Sequence, residues 1–214
     1  MTIAIPRLDR STAADRGLTL ADFLVPIRVG ERLNARARDV VLVVAGAMFI
    51  YLTARIAIPV QGSPVPITGQ TFGVLLVGAA LGFRRGFLAV STYVLLGVIG
   101  LPFFAEGKGG LSVIWGTNGG YLIGFIVAGA VVGRLAELGW DRRFTAALAA
   151  MFIGNVIIYA IGLPWLMVVT GWTVEKTIAA GLTPYLVGDA IKLVLAAALF
   201  PAAWWVVGRR PDDR

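Results

Sequence analysis

Apolar residues in this chain are gathered into six long segments, and short polar stretches separate them. A helix needs roughly 20 predominantly apolar residues to cross a bilayer, so the pattern predicts an all-α membrane protein with six transmembrane helices. The second segment has about 14 residues and is expected to be tilted, sunk beside a cavity or partly re-entrant. The six segments are Val40–Ile58, Gln70–Phe83, Gly86–Leu101, Tyr121–Leu138, Thr145–Thr170 and Tyr185–Val207.

The composition favours the same fold class. Hydrophobic residues make up 58% of the 214 residues and charged residues only 14%, whereas a soluble domain is typically about a quarter charged. We therefore expect one membrane domain at residues 39–208, a cytoplasmic leader at residues 1–38 and a cytoplasmic tail at residues 209–214. Residues 18–27 of the leader form either a short amphipathic stretch at the membrane surface or part of a solvated segment.

The basic residues predict an orientation. Fifteen of the 19 Lys and Arg residues lie before the first segment, after the second, around the junction of the fourth and fifth, or after the sixth. The opposite loops contain only Lys108 and Lys176. The positive-inside rule then places both termini in the cytoplasm, which requires an even number of spans. Because the charges separate the apolar segments and do not form one patch, the net charge of +7 does not predict nucleic-acid binding.

The absence of cysteine and histidine limits the chemistry. It excludes thiolate nucleophiles, histidine general bases and histidine-based metal sites, so we predict no metal site and no enzyme activity. Lys108 and Asn118 stand among glycines in the third connection, where a backbone can approach a ligand closely. This connection is either part of a binding site or a flexible solvated loop.

Two charged residues interrupt the sixth apolar segment. Asp189 and Lys192 are three residues apart, so they share one face of the helix and lie within its outer half. Intramembrane charges are costly and usually mark a substrate or ion path. Asp189 would accept hydrogen bonds from paired N–H donors of a neutral heterocycle, and Lys192 would donate to a carbonyl. The alternative is an ion pair that neutralises itself and only fixes helix packing.

Other polar positions carry weaker signals. Asn155 and Tyr159 share a face of the fifth helix, and Tyr93 lies in the middle of the third. One interpretation is that these residues line an aromatic cavity for a flat ring. The other is that they make hydrogen bonds between helices or belong to an interfacial belt. The uncharged, proline-rich stretch Gln61–Gln70 is suited to a lid, or it is a plain connector. Glycines inside the segments also favour close helix contacts.

Several stretches resemble the BioY family, the biotin-binding substrate (S) components of energy-coupling factor (ECF) transporters. Among them are the motifs Pro66-Ile-Thr-Gly-Gln70 and Gly188-Asp-Ala-Ile-Lys192. The resemblance runs in the same order from about Ile58 to Phe200, so it covers the membrane domain and not the leader. The full stretches are Pro66–Gly82, Tyr93–Ala105, Gly109–Leu111, Gly119–Phe125 and Gly188–Lys192.

The resemblance implies an S-component fold in a bacterial cytoplasmic membrane, with an external site roofed by the first, third and fifth connections. It implies biotin as the substrate and no cofactor. It also implies contact with membrane lipid, and as partners an ECF transmembrane (T) component and ATPase subunits. Asp189 and Lys192 would bind the ureido ring, and we expect Lys108 to meet the valerate carboxylate. The expected substrate-binding residues are Asp189, Lys192, Lys108, Asn118, Tyr121, Tyr93, Gln70 and Asn155.

The sequence departs from the family in two places. Gly116-Thr-Asn118 stands where the family usually has Gly-Pro-Thr. The first helix also supplies small residues without the family's docking spacing, namely Ala45, Gly46, Ala47, Ala54 and Ala57. Two alternative functions remain open. In the first, the chain is an S component for another vitamin, such as riboflavin or thiamine. In the second, it is a membrane-embedded enzyme that uses Asp189 and Lys192 as an acid–base pair.

Overall fold

The computed structural model describes residues 19–24 and 32–208, which form a helical bundle. A two-stranded antiparallel ribbon, β1 (Ala57–Ile58) and β2 (Ile67–Thr68), joins the first two long helices and pairs residue 57 with 68. Single 3₁₀ turns lie at Ala105–Gly107, Trp140–Arg142 and Thr183–Tyr185. The helices are α1 (Leu20–Leu24), α2 (Arg32–Ala54), α3 (Gln70–Val98), α4 (Leu111–Trp115), α5 (Gly119–Glu137), α6 (Phe144–Thr170), α7 (Val174–Gly181) and α8 (Leu186–Gly208).

Helix α3 is a hairpin of two arms. Its helical conformation breaks at Gly82, where φ is 81° and ψ is −177°. The side-chain amide of Gln70 donates to the hydroxyl of Tyr93, although the two residues would stand about 35 Å apart in a straight helix. The arms 70–81 and 83–98 therefore run antiparallel, and the chain reverses direction within one residue of Gly82.

The hairpin reconciles the helix count with the predicted spans. Within the described residues, five helical stretches are long and apolar enough to cross a membrane, and α3 is one of them. Counting the arms of α3 separately gives six crossings, which confirms the predicted six-helix membrane fold. The short second segment is the first arm of this hairpin.

A carboxylate stabilises the turn of the hairpin. The backbone N–H of Phe83 donates to Glu137 Oε1 at 2.9 Å, and Glu137 also pairs with Arg134 at 2.9 Å. A donor at the start of the second arm has no partner within that helix, so the carboxylate satisfies it. The C-terminal turn of α5 thus holds the α3 hairpin closed.

Glycines let α3 and α5 approach to backbone contact. A Cβ atom at Gly78 would lie 2.5 Å from the carbonyl oxygen of Gly129. A Cβ at Gly133 would lie 2.6 Å from the carbonyl carbon of Gly82. The expected close helix contacts are therefore present, and they fix α5 between α3 and α6.

The bundle has two chemically different ends. The arginine end carries the α3 turn with Arg84 and Arg85 and the connection between α5 and α6. The loop end carries the connections 55–69, 99–118 and 171–185. This division follows the charge pattern of the sequence, except that Arg55, which the sequence places in the first apolar segment, lies at the loop end.

Helix α1 packs at the arginine end. Asp22 pairs with Arg85 at 2.7 Å and with Arg38 at 3.3 Å. Burial opposes ionisation of Asp22, but hydrogen bonds from Arg85 and Thr19 outweigh it and hold the pKa of Asp22 below its usual 3.8. Of the predicted amphipathic stretch, residues 19–24 are described and Leu20 is buried.

The predicted leader and tail lie mostly outside the described residues. Residues 1–18, 25–31 and 209–214 are not described. Helix α2 begins at Arg32, so helical structure extends back across the predicted boundary at residue 39.

Asp141 connects α8 to the turn between α5 and α6. Trp204 Nε1 donates to Asp141 Oδ2 at 2.7 Å, and the Arg142 guanidinium lies 5.0 Å from the centre of the Trp204 ring. Burial outweighs this hydrogen bond and the charge of Arg142 and raises the pKa of Asp141 to about 6. Sequence reasoning missed Asp141, since a carboxylate in a polar connection gives no sign of burial.

The raised pKa predicts a pH-dependent effect of Asp141→Asn. A carboxyl group whose pKa is higher in the folded state stabilises the fold below its ordinary pKa of 3.8, and this contribution is lost as the pH rises through about 6. The variant keeps an oxygen for Trp204 and does not titrate. We expect it to gain on the order of 1–2 kcal/mol over the wild type between pH 5 and 7.5. Thermal unfolding in detergent across this range measures the difference, and a pH-independent difference would contradict the prediction.

Candidate functional site

A cavity at the loop end brings most of the predicted site residues together. It encloses about 660 Å³ of space unfilled by atoms, part of which is open solvent. The connections 55–69, 99–118 and 171–185 roof it, and α3, α5, α6 and α8 form its walls. Six of the eight predicted residues line it: Gln70, Lys108, Asn118, Tyr121, Asp189 and Lys192.

An ion pair lies in the wall formed by α8. Lys192 Nζ is 3.1 Å from Asp189 Oδ1 and donates to Thr71 Oγ1 at 3.2 Å. The hydroxyl of Tyr159 donates to Asp189 Oδ2. Asp189 is 4% exposed, so these contacts are weakly screened by water. The three-residue spacing on one helix face therefore produces the predicted contact.

The roof is tied across the cavity by Tyr185. Its hydroxyl donates to the carbonyl of Val65 at 2.5 Å and lies 2.7 Å from Ser63 Oγ. Ser63 and Val65 belong to the uncharged connection that the sequence suggested as a lid. Tyr185, the last residue of the 3₁₀ turn before α8, thus holds the first connection over the site.

The third connection contributes a cation and a free acceptor. Lys108 is about half exposed and pairs with Glu106 at 2.5 Å. Asn118 Oδ1 is buried and has no hydrogen-bond partner among the described residues. A buried amide oxygen without a partner is costly, so Asn118 offers an acceptor to an N–H or O–H group of a ligand.

Aromatic rings fill the wall between α5 and α6. Tyr121 meets Tyr159 edge to face at 6.3 Å, and its hydroxyl donates to the carbonyl of Gly181 at 3.0 Å. A Cβ at Gly162 would lie 2.5 Å from the Tyr121 ring, so only glycine leaves space for that ring. The wall is apolar with a few fixed polar groups, as ligand sites usually are.

Two predicted site residues lie off the cavity wall. Tyr93 is fully buried, and its hydroxyl accepts from Gln70 between the arms of α3. Asn155 lies one turn from Tyr159 on α6, and its Oδ1 has no partner within the described part of the chain. Tyr93 therefore stands behind Gln70, which lines the cavity.

Sequence reasoning gave too little weight to three cavity residues. Tyr159 was a weak candidate, and Thr71 and Tyr185 were not singled out. Tyr185, Asp189 and Lys192 stand at positions i, i+4 and i+7, which is the spacing of one helix face and was visible in the sequence. Nothing in the sequence marked Thr71, because its role depends on how the α3 hairpin meets α8.

Comparisons with known proteins agree on one family. The model of the BioY family matches residues 28–209. The protein described as biotin transporter BioY of Thermotoga maritima is 45% identical over 150 residues, which are 70% of this chain and 86% of that protein. Its namesake in Rhizobium etli is 39% identical over 143 residues, 64% of this chain and 76% of that protein.

The fold also matches a solved structure. It is described as the S-component for biotin from an ECF-type ABC transporter, and it superposes with a TM-score of 0.73 at 24% identity. The superposition covers 81% of this chain and 94% of that one. At this identity the match supports the fold.

Proposed function

Because this chain belongs to the BioY family, we propose that it binds biotin in the loop-end cavity and is the substrate-specific component for biotin uptake across the membrane. The observation that carries the proposal is the buried carboxylate of Asp189, paired with Lys192 in the wall of the loop-end cavity. Family membership also confirms the prediction of a transport protein and not an enzyme.

The cavity offers a partner for each polar part of biotin. The ureido ring presents two N–H donors and one carbonyl acceptor, and Asp189 and Lys192 supply the complementary acceptor and donor. Asn118 Oδ1 adds a second buried acceptor beside the cavity. Charge-assisted hydrogen bonds of this kind are about twice as strong as neutral ones.

The other end of the ligand is proposed to meet Lys108. The valerate carboxylate is anionic, and Lys108 lines the cavity in the roof. Because this lysine is about half exposed and already pairs with Glu106, its contribution to affinity is expected to be modest. Tyr121 and Gln70 would line the space around the rings, and Tyr93 and Asn155 would act from behind the wall.

A binding assay tests the proposed function. Biotin, its neutral methyl ester, thiamine and riboflavin are titrated into the detergent-purified chain. We expect tight binding of biotin, somewhat weaker binding of the ester because it lacks the negative charge that Lys108 would meet, and no binding of the other two vitamins. Preference for thiamine or riboflavin would favour an S component for that vitamin. Absence of biotin binding would overturn the proposal.

We also propose that the arginine end faces the cytoplasm, as its basic residues favour. The chain contains no cysteine, so single substitutions report exposure. A membrane-impermeant maleimide should label Glu175→Cys, on α7 at the loop end, in intact cells. It should label Arg84→Cys only after the cells are opened. The reverse pattern would contradict this orientation.

Energy for transport is proposed to come from a partner T component and ATPase subunits, unless the chain acts alone. The small residues of α2 mostly face inward. Ala47 and Ala54 are buried, and a Cβ at Gly46 would lie 3.0 Å from Ala89 of α3. Docking would therefore use the outward face of α2, where Ala45 is exposed. Co-purification with these subunits from cells expressing all of them tests the partnership.

A further inference from the structure

Asp189 is held in place by a tyrosine from a different helix. Lys192, one turn along α8, contacts Asp189 Oδ1, while Tyr159 of α6 donates to Asp189 Oδ2. An ionised carboxylate has about four acceptor positions. Among the described residues, each oxygen therefore has one donor from the protein and retains capacity for one from a ligand. Two fixed donors on two oxygens define the plane of the carboxylate.

Tyr159 is itself rigidly placed. Its ring packs edge to face against Tyr121, whose hydroxyl is bonded to the carbonyl of Gly181. The Tyr121 ring in turn fills the space left by Gly162 on α6. The hydroxyl of Tyr159 thus connects α6 to α8. Because this hydroxyl is already ordered before a ligand binds, ordering it adds no entropic cost to binding.

Without the tyrosine hydroxyl, the carboxylate would have a different preferred arrangement. Asp189 is 4% exposed, so water cannot easily replace the lost donor at Oδ2. The side chain would rotate to share Lys192 between both oxygens. That rotation would turn acceptor positions away from the cavity and leave fewer for a ligand.

We propose that Tyr159 is a positioning residue that fixes the Asp189 carboxylate so that both of its oxygens can accept N–H groups from the ligand. The inference rests on the proposed binding of biotin at Asp189. It predicts that Tyr159 determines selectivity for a ligand with two adjacent N–H donors, although the tyrosine acts through Asp189 and not by touching the ureido ring.

The test compares Tyr159→Phe with the wild type, using biotin and a biotin methylated on one ureido nitrogen. The wild type should prefer biotin by about tenfold or more, because methylation leaves a buried acceptor unpaired. In Tyr159→Phe, we expect biotin affinity to fall about tenfold and the preference to shrink to about twofold. A structural role alone would weaken both ligands equally and leave the preference unchanged, which would overturn the proposal.

Two further variants are measured in the same assay. Tyr51→Phe removes a tyrosine hydroxyl outside the cavity, where Tyr51 stacks on Phe103, and should change neither affinity nor preference. Adding Tyr159→Phe to Asp189→Asn should weaken biotin less than about twofold, whereas an undiminished effect would mean that the tyrosine contacts the ligand directly. If the wild type itself fails to bind biotin, the proposed function fails. If it binds and Tyr159→Phe behaves like the wild type, only this inference fails.

Discussion

Asp189→Asn is expected to weaken biotin binding by between about 30-fold and several thousand-fold, corresponding to about 2–5 kcal/mol. The substitution keeps the shape of the side chain but replaces an acceptor oxygen with an NH₂ donor. That donor would face either the hydroxyl of Tyr159, the ammonium of Lys192 or a ureido N–H, all of which are donors toward this side chain. Lys192 also loses its counter-ion in a largely buried position.

Asp141→Asn supplies a matched control for this measurement. It removes a buried carboxylate at the arginine end, far along the bundle from the cavity. Both variants are titrated with biotin at one pH after their thermal unfolding has been compared with the wild type. We expect normal affinity for Asp141→Asn. Unchanged affinity for Asp189→Asn would exclude the ion pair from the site and favour a role in helix packing alone.

The helices and their order were predictable because membrane segments are governed by local composition. The alternation of apolar segments and arginines identified the six crossings, and the three-residue spacing of Asp189 and Lys192 identified a shared face. What local composition does not encode is how two segments meet. The reversal within one residue of Gly82 was expected only as a junction between two spans.

The cavity was predictable to the extent that its residues belong to recognisable motifs. Asp189, Lys192 and Lys108 are charged residues in a largely apolar chain, so the sequence alone indicates them as site candidates. Tyr159 and Thr71 are ordinary residues of apolar helices, and their roles arise from partners 30 and 121 residues away along the chain. Tyr93 and Asn155 shared the polarity of site residues but do not line the cavity. The hydroxyl of Tyr93 is bonded to Gln70 between the arms of α3, and Asn155 shares a face with Tyr159 but lies one turn earlier on α6.

The second large effect is expected at the α3 turn. Gly82 has φ of 81° and ψ of −177°, a conformation that is essentially restricted to glycine. A Cβ there would lie 2.7 Å from Thr19 Cγ2 and 2.8 Å from the Glu137 oxygen that accepts from Phe83. Gly82→Ala therefore combines backbone strain with loss of the contact that closes the hairpin. We expect it to cost about 3 kcal/mol or more, which lowers the unfolding temperature by roughly 6–12 °C.

Two other glycines separate the causes of this loss. Gly171 ends α6 with φ of 67°, and no atom of the described residues lies within 4 Å of a Cβ position there, so Gly171→Ala tests backbone strain alone and should cost about 1 kcal/mol. Gly188 lies inside α8 with open space around it, so Gly188→Ala should be neutral or stabilise the fold. Whether Gly82→Ala raises or lowers the stability of the fold distinguishes a hairpin from a continuous helix. If α3 were one continuous helix, alanine at residue 82 would stabilise it by about 1 kcal/mol. If the chain reverses at Gly82, the Gly82→Ala variant must unfold at a lower temperature than either control variant.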